Sequence, residues 1–254
     1  MTEQKLDTYL DLCTQVYDLS KPTPPEDAYA FYRSYVADAK GAILEPMCGT
    51  GRFLLPLLTE GFEVQGFDAS QHMLNAMYAK AKLQDLKPTV WKDFVEKLDT
   101  PEKYSLIFIP SGSFGLMINS EIAKRALVTL YNHLDHDGIL LFEADTLHFA
   151  PTQFGVWNGS EWHRTDGKKI SLNSLALPIE DYICSFECRY ELIDGKNIIN
   201  TEIETLKFRL YEPEHLTKIL KEAGFKNVKI IKAFDRNKTY GINDEVIVCE
   251  CRKS

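Results

Sequence analysis

The sequence predicts an α/β protein: a doubly wound, seven-stranded, mostly parallel sheet carrying an inserted antiparallel β-sheet. Three observations carry this. Apolar runs of strand length alternate with helix-length amphipathic segments from residue 41 to about 145, which is the order that parallel strands with crossover helices require. The first run, Ile43-Leu44-Glu45-Pro46, leads into Met47-Cys48-Gly49-Thr50-Gly51-Arg52, whose two glycines let the backbone turn tightly and pass close to a ligand. The next run ends at Gly66-Phe67-Asp68, so an acid stands at a strand's C-terminal end, where it can accept bonds from both hydroxyls of a ribose.

Each element follows in order. Residues 1–40 read as helical, interrupted by a turn at Lys21-Pro22-Thr23-Pro24-Pro25. Ile43-Leu44 is the first strand; Arg52 to Glu60 is the helix after it, stopped by Gly61. Val64 to Phe67 is the second strand, and Ser70 caps a helix whose apolar positions Met73, Leu74, Met77 and Ala81 recur at helical spacing. A short third strand spans 88–91. Leu106-Ile107-Phe108-Ile109 is apolar throughout and so is expected to be buried on both faces. Residues 120–134 form a helix and Gly138 to Glu143 a further central strand.

The alternation then stops. Ile170–Leu177, Tyr182–Leu192 and Ile198–Leu210 have β character with no helices between, the last two joined across Asp194-Gly195, which marks an antiparallel insertion. Pro213 opens another helix, Gly224 closes it, and strands at 227–234 and 244–251 complete the sheet. The expected organisation is a helical cap over 1–40, a nucleoside-binding domain over 41–146 and 211–254, and an inserted sheet over 147–210.

Composition bounds the function. A net charge of −8 provides no basic footprint for nucleic acid, which favours a small-molecule partner. No run approaches the roughly 18 apolar residues of a membrane span, and the polar, acidic start of the chain is unlike a signal peptide, so a cytoplasmic location and no membrane partner are expected. None of the six cysteines has C-x-x-C spacing, which argues against a metal site and for reduced packing residues.

The nucleoside is narrowed by what is missing. A dinucleotide fold needs a third glycine where the helix approaches a pyrophosphate, and in Gly49-Thr50-Gly51-Arg52-Phe53-Leu54 that place is held by Leu54. S-adenosylmethionine (SAM) has a ribose but no phosphate, and its ammonium suits a carboxylate such as Glu45. The stretch resembles motif I of the class I SAM-dependent methyltransferases, with Met47 in place of the first of three alternating glycines. The element order over about 30–145 and 212–252 is similar as well, and most resembles small-molecule members with a sheet inserted after the fifth strand.

That resemblance implies a Rossmann-like methyltransferase fold and a cofactor site. Gly49 and Gly51 would line the methionine moiety, Glu45 would lie near its ammonium, and Asp68 would take the ribose. Ala69 and Met73 would touch the adenine face, while Asp93 and Phe94 would meet its amino group and edge. Pro110 and Ser111, ending the fourth strand, occupy the place where family members bring backbone carbonyls to the cofactor. Arg52 opposes the helix macrodipole unless a carboxylate, Glu45 or the cofactor's own, compensates it. Among the N-terminal tyrosines (Tyr9, Tyr17, Tyr29, Tyr32, Tyr35), Tyr17 is the expected lid.

Methyl transfer from a sulfonium to a nitrogen or oxygen is an in-line displacement that needs alignment more than a fixed dyad. The sequence has no H-E-x-x-H or G-x-S-x-G, and Ile109-Pro110-Ser111-Gly112 replaces the N/D-P-P-[YF] of enzymes that act on flipped bases or amides. His148 and His163 are the base candidates, and Trp157, Trp162 and His163 are expected to wall the acceptor. The same sheet suits a homodimer interface. Two other readings stand beside this one: a catalytically silent SAM-binding scaffold, and a nicotinamide-dependent oxidoreductase, which the missing glycine disfavours.

Overall fold

In the computed structural model, which describes residues 6–254, two helices precede the sheet: α1 (Asp11–Ser20) and α2 (Glu26–Asp38). Residues 1–5 of the expected helical cap lie outside the described residues. The alternating segment gives β1 (Ile43–Pro46), α3 (Leu54–Thr59), β2 (Gln65–Asp68), α4 (Gln71–Leu83), β3 (Thr89–Lys92), β4 (Tyr104–Ile109), α5 (Ser120–His133) and β5 (Leu134–Asp145). The insertion holds four strands, β6 (Trp157–His163), β7 (Lys169–Glu180), β8 (Ile183–Asp194) and β9 (Asn197–Arg209); α6 (Pro213–Glu222), β10 (Asn227–Lys232) and β11 (Val246–Arg252) finish the chain.

The main sheet has the order β10-β11-β5-β4-β1-β2-β3, with only the β11 pairings antiparallel. Because β1 is followed by β2 on one side and β4 lies on its other side, the winding reverses between β1 and β4. Ligands bind in open α/β sheets outside the strand C-termini at such a reversal. The core is two apolar layers, one on each face. Phe142, Ile107, Leu130 and Leu220 lie in the layer under α5 and α6; Ile43, Phe108, Leu141 and Val248 lie in the layer under α2, α3 and α4.

Local chemistry agrees with the expected boundaries. Ser70 Oγ accepts the Met73 N–H at 3.3 Å and caps α4, Asn119 Oδ1 accepts the Glu121 and Ile122 N–H groups and caps α5, and Pro213 opens α6. All six cysteines are buried and free.

The insertion forms its own antiparallel sheet in the order β6-β7-β8-β9. Trp157-to-His163, read from the sequence only as an aromatic stretch, is its fourth strand. The amphipathic helix α1 lies on one face of this sheet: Leu12, Cys13 and Val16 pack against Ile170, Cys188 and Tyr190 in a third, smaller core. Among the described residues, no helix is long and apolar enough to cross a membrane.

Candidate functional site

The turn after β1 is built from left-handed residues. Met47, Gly49 and Gly51 have φ of 58°, 55° and 79°, so Met47 keeps the conformation a glycine would adopt there, at the steric cost a side chain incurs in that region. Its backbone therefore still follows the tight path. A Cβ on Gly49 would meet nothing within 4 Å, which leaves that side of the turn open. Gly51 faces the other way: its Cβ would stand 2.8 Å from Leu55 Cγ and 2.9 Å from Met77 Cγ. This glycine serves core packing and lies behind the wall it was expected to line.

Asp68 ends β2 beside this turn. Its Oδ2 accepts the Gly49 N–H and its Oδ1 the Ser70 N–H, both at 2.8 Å, which ties the turn to the start of α4. A carboxylate offers about four lone-pair directions, so two remain for ligand hydroxyls. Burial raises the carboxyl's affinity for its proton, and the two amides oppose that.

Around Asp68 lies a cavity of about 330 Å³. Tyr17, Gly49, Ala69 and Met73 line it, and so do Asp93 and Phe94. Asp93 is fixed by its N–H bonding to the Asp68 carbonyl at 3.2 Å, while its Oδ1 accepts the Phe94 N–H at 2.8 Å. Tyr9, a member of the aromatic set but not its preferred lid, also lines the cavity, held at φ 55°. Tyr32 and Tyr35 are buried packing residues whose hydroxyls donate to Glu143 and Glu250.

Glu45 lies deeper. It is 2 % exposed, and its Oε2 has no hydrogen-bond partner. Burial first, and Asp68 second, hold its carboxyl protonated well above the usual carboxylate range. An orphaned buried oxygen is costly, and a ligand's donor would satisfy it. Arg52 is exposed enough to donate its Nε–H to the Thr23 carbonyl at 2.8 Å, and its charge acts on Tyr17 and Glu143. α3 begins only at Leu54, so Arg52, expected to open the helix, stands instead in the turn before it. Pro110 is buried behind β4, and Ser111, at φ 61°, gives its N–H to Glu143 Oε1 at 2.8 Å.

The histidine and tryptophan expectations fail on position. His148 is exposed in the short turn after β5, its N–H on Thr146 Oγ1. His163 is exposed at the end of β6, opposite Lys169. Strand alternation sends Trp157 outward, 54 % exposed, and turns Trp162 onto the α1 core instead. The reason is strand order: β6 is the far edge of the inserted sheet, and the strand that reaches the cavity is β9, through Thr205, Leu206 and Lys207.

The sequence reading missed Glu143 and Asp145. They alternate at the end of β5, an otherwise apolar strand, which is the same signal that singled out Asp68. Glu143 accepts from the Tyr32 hydroxyl at 2.9 Å as well as from Ser111, and burial pushes its carboxyl up to about 7. Asp145 is pushed up to about 6 by burial, against the opposing charge of Lys21.

The methyltransferase-domain family matches residues 43–138, the span that holds the turn, Asp68 and Asp93. A curated relative from Geobacillus sp., named as a methyltransferase, is 26% identical over 137 residues, 52% of this chain and 56% of the relative. The chain spans about half the length of the curated relatives it matches. Among solved structures, an S-adenosylmethionine-dependent methyltransferase from Clostridium acetobutylicum superimposes with a TM-score of 0.77 at 21% identity, covering 94% of this chain and 97% of that one. The sugar N-methyltransferase KedS8 from Streptoalloteichus does so with a TM-score of 0.74 at 17% identity, covering 100% and 99%. At such identities the likeness is one of fold. Over its motif turn and strand-end acids the chain matches the methyltransferase-domain family, and its sheet order is the fold shared with the S-adenosylmethionine-dependent methyltransferases it superimposes on.

Proposed function

We propose that the chain is a SAM-dependent methyltransferase that moves a methyl group to a nitrogen or oxygen of a small molecule. The observation that carries this reading is the pairing of a strand-end acid, Asp68, with an open left-handed turn at Gly49 on one cavity wall. Asp68 would take the ribose hydroxyls, Asp93 and Phe94 the adenine edge, and Ala69 and Met73 its face. The orphaned Glu45 oxygen suits the ammonium of the cofactor's amino-acid end. SAM supplies an activated methyl on a sulfonium, so the protein's share of catalysis is alignment and exclusion of water. Tyr9 and Tyr17 on the α1 side, and Leu206 on β9, would provide that exclusion.

A small acceptor is supported by the cavity's size, by the net charge of −8, and by the fold likeness to a sugar N-methyltransferase. The outer face of the inserted sheet, away from α1, would join a second copy of the chain. Calorimetric titration tests the central reading. SAM and its demethylated product should bind and NADH should not; nicotinamide binding without SAM binding would refute it. A screen of small metabolites with methyl-labelled SAM separates an active enzyme from a silent SAM-binding scaffold.

A further inference from the structure

The inserted sheet turns one face toward α1, and that helix covers only part of it. Leu12, Cys13 and Val16 of α1 close over Ile170, Cys188 and Tyr190. Beyond Cys188 the same face continues as Phe186 on β8 and as Leu206 and Phe208 on β9, because alternate residues share a face and Phe186 stands opposite Leu206 in the register. Phe186 and Phe208 are only half-buried there. Their rings lie 15° from parallel with centroids 5.9 Å apart. Phe149, from the short turn after β5, meets the Phe208 ring on edge, at 6.0 Å and 66°, and is itself 42 % exposed.

Two contacts join this aromatic group to the cavity. Leu206, the cross-strand neighbour of Phe186, lines the cavity. A Cβ on Gly115 would stand 3.7 Å from the Phe208 Cβ and 3.0 Å from the Arg209 carbonyl oxygen, so a residue without a side chain lets β9 lie against the loop whose Ser113 and Leu116 form cavity wall. The chemistry of this part of the face is uniform. Ala176, Cys184, Phe186, Leu206 and Phe208 are uncharged, while Glu187 and Arg189 of β8 alternate onto the opposite face. Two near-parallel phenyl rings and a third on edge offer a flat apolar surface with no hydrogen-bond donor for a sugar or a phosphate. Such rings are complementary to another ring in offset-stacked or edge-to-face contact.

We propose that Phe149, Phe186 and Phe208 form a shelf that selects a methyl acceptor bearing an aromatic ring. The ring stacks on Phe186 and Phe208 and meets Phe149 at its edge, and its nucleophilic nitrogen or oxygen, lone pair free, points past Leu206 into the cofactor cavity. The inference rests on the methyltransferase reading above and concerns recognition of the acceptor, not the methyl-transfer step.

The test uses the full chain saturated with the demethylated cofactor. Benzyl alcohol is the acceptor probe, cyclohexylmethanol and glucose are the controls, and ligand-observed NMR reads their binding. Benzyl alcohol should bind about 3-fold or more tighter than cyclohexylmethanol, and glucose should not bind. Phe149→Ala, at an exposed position, and Phe208→Leu, which keeps apolar volume and loses the ring, should each remove that margin and leave SAM affinity unchanged. A merely apolar wall would hold both alcohols equally, and a margin that survives both substitutions would put the ring elsewhere; either result overturns the proposal, as does glucose binding in preference to benzyl alcohol. If Phe208→Leu fails to fold by circular dichroism, Phe149→Ala alone decides. SAM binding with no preference for the aromatic probe removes the shelf and leaves the methyltransferase reading standing. A preference abolished by Phe149→Ala in a chain that binds no SAM removes the methyltransferase reading and leaves only a ring-binding site.

Discussion

Asp68 fastens the motif turn and, in the proposed reading, would also hold the cofactor's ribose, so its substitution separates the two only partly. Its carboxylate already fastens the turn through Gly49 and the start of α4 through Ser70, so Asp68→Ala costs folding stability as well as ligand bonds. The expected loss of SAM affinity is on the order of 1.5–3 kcal/mol, the range for hydrogen bonds to a charged group, read by calorimetry on a sample whose fold is verified. Glu143 gives a pH prediction. Its carboxyl moves from 4.5 to about 7 on folding, so between those values the unfolded chain ionises first and stability falls as pH rises. Below the lower value both states hold the proton; above the upper one the loss is complete. Glu143→Gln should remove a penalty on the order of 3 kcal/mol, so urea denaturation should favour the variant more at pH 8 than at pH 5. Asp68 and Glu45 were legible because an acid ending an apolar strand is conspicuous. Glu143 and Asp145 carry the same mark at the end of β5. Gly51 was legible as a turn residue but not for its direction, since the Leu55 and Met77 side chains that crowd it are set by helix packing.

Among the elements, α1 is the one whose role the sequence concealed. Its N-terminus has no local cap, because Leu10 offers no side-chain acceptor. The cap comes from the far side of the chain: Glu204 on β9 accepts the Tyr9 N–H at 2.7 Å and the Leu10 N–H at 3.0 Å, and Glu202 accepts the Leu12 N–H at 2.7 Å. Carboxylates at this end also favour the helix dipole. At the other end Asp18 accepts from Thr50 Oγ1 at 2.6 Å and Lys80 Nζ at 2.7 Å, which ties α1 to the motif turn and α4. Pairings across 190 to 195 positions leave no trace in local spacing, so strands and helices were legible and this cap was not. Glu204→Ala should free the start of α1. Amide exchange at residues 9–14 should quicken, stability should fall by about 1.5–3 kcal/mol, and SAM should dissociate faster because Tyr9 and Tyr17 line the cavity. Unchanged exchange at those amides would mean that Glu204 contributes nothing to holding the helix.

On the scale of the whole molecule, the inserted sheet has one committed face and one open face. The first carries Ile170, Cys188, Tyr190 and Leu206 and is covered by α1. The second alternates with it and presents Trp157 at 54 %, Ile199 at 49 % and Ile203 at 69 % exposure, among the charges of Lys169, Arg189 and Glu191. Large apolar side chains on an exposed sheet face are what an isologous contact uses, and a two-fold axis would set the mixed charges of one copy against those of the other. β9 contributes to both tasks: Ile203 lies on the open face, and two and three residues further on Thr205 and Leu206 line the cavity, so association would stiffen the cavity wall directly. Ile203→Glu combined with Ile199→Glu places like charges across the axis without touching the α1 face. Sedimentation should then report a dimer for the unmodified chain and a monomer for the double variant, with SAM affinity lowered less than the affinity for the acceptor probe, because β9 and not the motif turn has lost its support. A monomer in both samples would leave the open face without a second copy and make the apolar residues on it a surface for some other contact.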